Sequence, residues 1–278
     1  MAVSAPEPLG LIAGRGELPL ELLREARLRG RPVVALAFHE QTDPGVDAAD
    51  AVRWLHPGEI GSGVAVLLDS GVREAVMVGK VPKVDLVTNP GALRLDEDAL
   101  ALLQGLADRQ DDSILGALAD FAETRGIRLL PQADWLGPLI GAEGVQGRVA
   151  PSEAQRRDLA FALPLAKAIA GLDIGQTVAV KDGAVLAVEA IEGTDEAIRR
   201  AGAIASGACV VKVAKPSQDP RFDVPTVGPE TLAALVEAKA SVLAYEAGCT
   251  LVLKRERVVA QADAEGIAVV GLAAEEGA

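Results

Sequence analysis

The sequence predicts an α/β fold in two domains, the first on a mostly parallel sheet and the second on a mixed sheet. Short apolar runs alternate with helical stretches along the chain, the rhythm of strands covered by helices. The stretch 137–151, GPLIGAEGVQGRVAP, is rich in Gly and Pro and aperiodic, so it reads as a linker between domains at 1–136 and 152–278. In the second part, two strand-like runs flank Lys181-Asp182-Gly183, a hairpin that makes that sheet mixed.

Taken in order, residues 9–13 read as a buried strand, Gly14-Arg15-Gly16 as a turn, 18–29 as a helix and 32–38 as a second strand, together a βαβ unit. An apolar helix follows at 62–68, a strand at 74–78, helices at 96–107 and 112–125, and a strand at 127–130 that Pro131 ends. After the linker a helix spans 152–170, with Ser152 and Glu153 suited to its first turn. The hairpin strands are 177–180 and 185–190, then helix 194–201, strand 208–214, helix 229–240, strand 250–253, helix 256–265 and strand 267–270.

Half of the 278 residues are apolar but only 3% are aromatic, so the cores are built from Ala, Val, Leu and Ile. A formal charge of -13 repels polyanions and few rings are present to stack on bases, which argues against nucleic-acid binding. Cys209 and Cys249 lack zinc-type spacing and fit a reducing compartment. No basic leader with a long apolar stretch opens the chain, so the expected location is the cytoplasm. The two histidines, His39 and His56, each follow a predicted strand and read as solvated loop residues, which leaves acid, base and ligand roles to carboxylates and lysines.

The richest segment is 211–228, VKVAKPSQDPRFDVPTVG, where a strand opens into a proline-stiffened loop. Lys212, Lys215 and Arg221 can pair with phosphates, and Asp219 and Asp223 offer hard oxygen ligands; Mg²⁺ fits such a set, since it takes carboxylates together with water and substrate phosphates. Glu189 sits in an otherwise apolar strand next to Glu192, Thr194 and Asp195; it either joins a metal site or faces water while Thr194 or Asp195 caps the next helix. Gly14-Arg15-Gly16 opens a helix, where an anion is favoured, yet Pro19 stands where a dinucleotide fingerprint needs a small residue. That turn is either structural or a phosphate contact. Lys80, closing a strand, is either a phosphate ligand or a solvated lysine, and Asp111 and Asp112 either cap the helix that starts at Ser113 or contact substrate. The apolar helix from Leu159 to Leu172, with Pro164 inside it, serves as a core helix or lines a pocket for acyl chains.

Several segments resemble the LpxI-type UDP-2,3-diacylglucosamine pyrophosphatases of lipid A biosynthesis: LGLIAGRGELPL, DDSILGAL, GRVAPSEAQ, DIGQTVAVKDGAVLAVEAIEGTDEAIRR, VKVAKPSQDPRFDVPTVGPET and EAGCTLVL. The resemblance implies an N-terminal Rossmann-like domain, a C-terminal domain of its own type, a homodimer, and Mg²⁺-dependent hydrolysis of UDP-2,3-diacylglucosamine to UMP and 2,3-diacylglucosamine 1-phosphate (lipid X). It places the family's essential aspartate on Asp223, in a segment of type KPxQxxRxDxPTxG that Lys215, Gln218, Arg221 and Thr226 also match. It implies transient contact with the cytoplasmic face of the inner membrane, where such lipids lie. Arg15 departs from the usual glycine between Gly14 and Gly16, and Phe222 replaces a smaller apolar residue. Against this reading stand a non-catalytic nucleotide-sugar or lipid carrier, which would release no UMP, and a dinucleotide-dependent enzyme, which Pro19 opposes.

Overall fold

Two sheets organise the chain, each within its own unit. The structure, a computed structural model, describes residues 6–80, 94–106, 111–216 and 219–273, with Asp111 and Asp112 by their backbone alone. Unit 1 is Met1–Gly137 with Asp219–Asp223, and unit 2 is Pro138–Gln218 with Val224–Ala278.

In unit 1, β1 (Leu9–Ala13), β2 (Val33–Phe38), β3 (Ala51–Leu55), β4 (Glu74–Val78) and β5 (Arg128–Leu129) form a fully parallel sheet ordered β3-β2-β1-β4-β5. The helices are α1 (Leu18–Leu28), α2 (Ile60–Asp69), α3 (Glu97–Gly105), α4 (Asp111–Thr124) and α5 (Gln132–Leu136). β1 and β2 are covered on both faces, which is why LGLIA and VVALAF are unbroken apolar runs. Asp111 and Asp112 lie inside the first turn of α4 instead of ahead of it. The segment Asp219–Asp223 is pinned to this unit by Phe222, 3% exposed in the cluster of Leu36, Leu55, Leu67 and Ile127, and by a hydrogen bond from Gln132 N to Pro220 O of 2.8 Å.

Unit 2 contains β6 (Gly144–Val145), α6 (Glu153–Gly171), β7 (Thr177–Lys181), β8 (Ala184–Val188), α7 (Thr194–Ile204), β9 (Cys209–Lys212), β10 (Thr226–Val227), α8 (Pro229–Glu237), β11 (Val242–Glu246), β12 (Leu251–Val252), α9 (Arg255–Ala264) and β13 (Ala268–Leu272). The main sheet runs β6-β13-β11-β9-β7-β8, with β9, β11 and β13 parallel, β7 antiparallel to both its neighbours and β6 antiparallel to β13. The sheet is mixed, as the hairpin predicts. Its turn has Asp182 and Gly183 both at positive φ, 50° and 75°, and Asp158 of α6 accepts both backbone N–H groups at 2.9 and 2.8 Å. α6 starts on a capping box, Ser152 with Gln155, and packs Leu159, Ala162, Ala166 and Ala170 on one face of the sheet. α7, α8 and α9 cover the other with Ile198, Leu232, Leu235 and Val258.

Several elements differ from the sequence reading. β3 is expected only as the strand ahead of His56, without bounds, since Arg53 interrupts its apolar alternation; it is an edge strand with solvent on one side. β11 lies centrally, in the stretch left without an element between the helix read at 229–240 and the strand read at 250–253; the helix ends at Glu237, and Lys239 adopts φ 51°. The stretch 137–151 contributes β6 to the main sheet, and the predicted strand at 250–253 becomes β12, paired with β10 in a separate two-stranded sheet.

Candidate functional site

In unit 2, β8, β9 and β11 run in the same direction, so their carboxyl ends share one edge of the sheet. Lys212, the last residue of β9, is 4% exposed and donates to Thr194 Oγ1 at 2.9 Å and to Thr226 O at 3.0 Å. The Thr194 hydroxyl in turn donates to Glu189 Oε1 at 2.9 Å, and Glu189 is itself buried. Three candidates on different elements thus form one buried chain, Lys212–Thr194–Glu189, in which the carboxylate has the compensation its burial demands. Gly175 permits this approach, since a Cβ there would collide with the Glu189 carbonyl oxygen. Thr226 begins β10, with its hydroxyl turned back onto Val224 O at 3.1 Å.

Lys215, 7% exposed, pairs with Asp173 Oδ1 at 2.6 Å. On the other face of the sheet Lys167 of α6 forks onto Glu246 of β11 at 2.7 and 2.8 Å, and Glu246 also accepts Ala214 N at 2.8 Å. Sequence reasoning missed Lys167, Asp173 and Glu246. For two of them a signal exists: Lys167 is the sole charge in the stretch from Leu159 to Leu172, and Glu246 the sole charge in 240–247. Three further oxygens at this edge, Gln176 Oε1, Thr177 Oγ1 and Asp195 Oδ1, are buried with no hydrogen-bond partner among the described residues, and Thr177 is 1% exposed. Buried acceptors left in that state are costly, and such a set suits an arriving donor or cation.

In unit 1, the Arg221 guanidinium occupies both oxygens of Asp219, at 3.1 to 3.2 Å from Nε and 2.8 Å from Nη2, and reaches Glu123 at 2.9 Å. Hydrogen bonding from Arg221 holds the Asp219 carboxyl below its ordinary pKa, and Asp219 raises that of Arg221. Asp223 adopts φ 56°, a left-handed conformation that aspartate tolerates better than most residues. Gln218 and the side chains of Asp111 and Asp112 lie outside the described residues.

At the carboxyl ends of β1 and β4, Gly14 and Gly79 interlock: Arg15 N donates to Lys80 O at 2.8 Å and Lys80 N to Arg15 O at 2.9 Å. A Cβ on Gly14 would lie 2.8 Å from the Gly79 carbonyl carbon, whereas Gly16, at φ 98°, has open space around it. Gly14 is needed for close approach and Gly16 for conformation. Gly14→Ala is expected to lower stability by about 2 kcal/mol, as for other overpacking changes, and Gly16→Ala by about 1 kcal/mol through strain alone; paired denaturant melts check the order. Arg15 and Lys80 are exposed at this edge. The histidines are not isolated loop residues: their ring centroids lie 4.8 Å apart, and that of Trp54 is 5.7 Å from His39.

Burial pushes the Cys209 and Cys249 thiols up to about 11. With roughly one thiol in a thousand ionised at pH 8, both are expected to resist iodoacetamide in the folded chain and react once it is denatured, which mass spectrometry reads directly.

These features define a two-unit α/β protein whose charged and polar candidates gather at the carboxyl ends of parallel strands, the edge at which open sheets bind ligands. Models of the LpxI N-terminal domain and the LpxI C-terminal domain match residues 8–139 and 142–270. The UDP-2,3-diacylglucosamine pyrophosphatase LpxI of Caulobacter vibrioides is 33% identical over 280 residues, spanning 96% of this chain and 98% of the relative. The chain belongs to the LpxI family. Among solved structures, it is similar to the biotin carboxylase domain of a thermophilic 2-oxoglutarate carboxylase (17% identity, TM-score 0.27, 62% of this chain and 34% of that one). It is likewise similar to the biotin carboxylase subunit of pyruvate carboxylase (15%, TM-score 0.27, 66% and 38%). The chain thus spans little more than a third of each, and the fold stands on its own strand order.

Proposed function

We propose that this chain hydrolyses the pyrophosphate bond of UDP-2,3-diacylglucosamine, giving UMP and 2,3-diacylglucosamine 1-phosphate in lipid A biosynthesis. The observation that carries the reading is the 33% identity, held over 96% of the chain, to a protein of that name. In the reaction a water oxygen bonds to the β-phosphorus, the bond from that phosphorus to the bridging oxygen breaks, and UMP leaves with the bridging oxygen.

Lys212 and Lys215 bring cations to the two phosphates, and Asp223 orients the water; Thr194 holds the Lys212 ammonium at 2.9 Å and so fixes its direction. Gly14, Gly16, Lys80, Asp111, Asp112, Gln218 and Thr226 are the proposed substrate contacts. Arg221 serves first to fix the Asp219–Asp223 loop, being tied to Asp219 and Glu123. Mg²⁺ fits the residues present: Asp195 keeps a buried oxygen without a partner among the described residues, next in sequence to the threonine that binds Glu189. No trio of His, Cys, Asp or Glu is grouped for a metal among the described residues; Mg²⁺ takes one or two carboxylates together with the substrate's phosphates. Glu189 and Asp195 would hold it, while Asp219 already has both oxygens engaged by Arg221. When bound, the ion neutralises charge on the phosphates.

The first unit is read as Rossmann-like on its 3-2-1-4-5 strand order. A cytoplasmic homodimer with transient contact to the inner membrane completes the proposal, supported by exposed Leu172, Ile174 and, on the edge strand β8, Val185. No helix among the described residues is long and apolar enough to cross a membrane. Purified protein given UDP-2,3-diacylglucosamine is expected to release UMP with Mg²⁺ and to stop on chelation. Binding of the lipid without UMP release would overturn the reading in favour of a carrier.

A further inference from the structure

We infer that His39, Trp54 and His56 form a stacking platform for a planar nucleobase in unit 1; its assignment to the uracil of the substrate rests on the function proposed above. This chain is poor in rings, with four Phe, two Trp, one Tyr and two His in 278 residues. Three of them, including both histidines, nevertheless meet at one place, with centroids 5.7 Å apart for His39–Trp54 and 4.8 Å for His39–His56 and planes inclined by 31° and 39°.

The rings are held before any ligand arrives. His39 N donates to Leu55 O at 3.0 Å, so the chain past β2 continues the pairing with β3, and His56 N donates to the Glu59 carboxylate at 2.5 Å. Trp54 Nε1 donates to Asp47 at 3.1 Å, which fixes the indole. Core packing does not account for the cluster: His39 is exposed and Trp54 and His56 are half-buried, where a core ring would be enclosed.

Position gives the ligand class. β1 to β4 are parallel, so the three rings, at the carboxyl ends of β2 and β3, lie on the same edge of the sheet as Arg15 and Lys80, at the ends of β1 and β4. In the order β3-β2-β1-β4-β5 the connections reverse between β1 and β4, the crevice at which an open sheet takes a ligand. Two cations at that crevice and a ring stack two strands along match the two ends of a nucleotide, phosphate and base. The acidic chain, at -13, leaves local cations to supply the attraction for the phosphates.

Because the chain has only two histidines, every imidazole resonance reports on the platform. In the full-length protein, UMP is expected to shift both sets of imidazole signals saturably, while ribose 5-phosphate, which lacks the base, leaves them within a small fraction of that shift. His39→Ala is expected to weaken UMP binding about tenfold to a hundredfold, the usual loss when a stacking ring is removed, and to raise KM more than it lowers kcat. His39→Phe keeps a ring and should restore most of the affinity. UMP that leaves both imidazoles unmoved at millimolar concentration overturns the platform whether or not the chain cleaves the lipid substrate. So does a His39→Ala protein, folded by its melting curve, that binds UMP as well as the parent. Conversely, imidazole shifts with UMP and no cleavage of the lipid would keep the platform and reject the hydrolase.

Discussion

Asp223→Asn is expected to lower kcat for UMP release by about a hundredfold to a thousandfold, the range for removing one group that acts on developing charge. Its melting temperature should stay within a few degrees of the parent. Asparagine is the informative replacement. Asp223 stands at φ 56°, and asparagine tolerates that conformation while alanine adds its own strain. The substitution therefore removes charge and keeps the backbone, so a loss of rate cannot be ascribed to a collapsed loop. Alanine at the same position should lose the same activity and also about 1 kcal/mol of stability. An Asp223→Asn protein with unimpaired UMP release at saturating Mg²⁺ would remove the aspartate from the reaction.

Lys167→Met is expected to destabilise the chain by about 3 kcal/mol and to lower its melting temperature by roughly 10 °C, the typical penalty for removing one partner of a buried pair. Glu246 is 4% exposed and keeps only the Ala214 N–H, at 2.8 Å, among the partners described once the ammonium is gone. The doubly changed chain, Lys167→Met with Glu246→Gln, should recover part of the loss, because the amide can still accept from Ala214 and carries no charge to strand. Calorimetry of the three variants checks the order. A single Lys167→Met chain as stable as the parent would mean that Glu246 is solvated in a way the pairing does not reveal.

Most of the strands and helices were legible in the sequence because their signals are local. The hairpin is one case: Asp182-Gly183 carries its turn conformation in its own residue types. α6 is another, since Ser152 and Gln155 write its start. β11 went unread because Val242–Glu246 is a five-residue run with a charge at its end, and its pairing with β9 and β13 is not local in sequence. The site divides in the same way. Lys212, Lys215 and Glu189 stand out as charges in apolar runs, but that Thr194 links two of them depends on pairing across β7, β8 and β9, which sequence distance conceals. That the two histidines meet was hidden for the same reason: 17 positions separate His39 from His56, and only parallel pairing of β2 with β3 brings them together.

Phe222 has a practical consequence for anyone who would dissect the gene. The two family matches meet near residue 140 and invite a cut there, yet a fragment ending at Gly137 would lack the phenyl ring that fills its own core. Such a truncated product should be prone to aggregation, and a short synthetic peptide carrying 219–223 should rescue its solubility in trans, as a missing keystone does an arch.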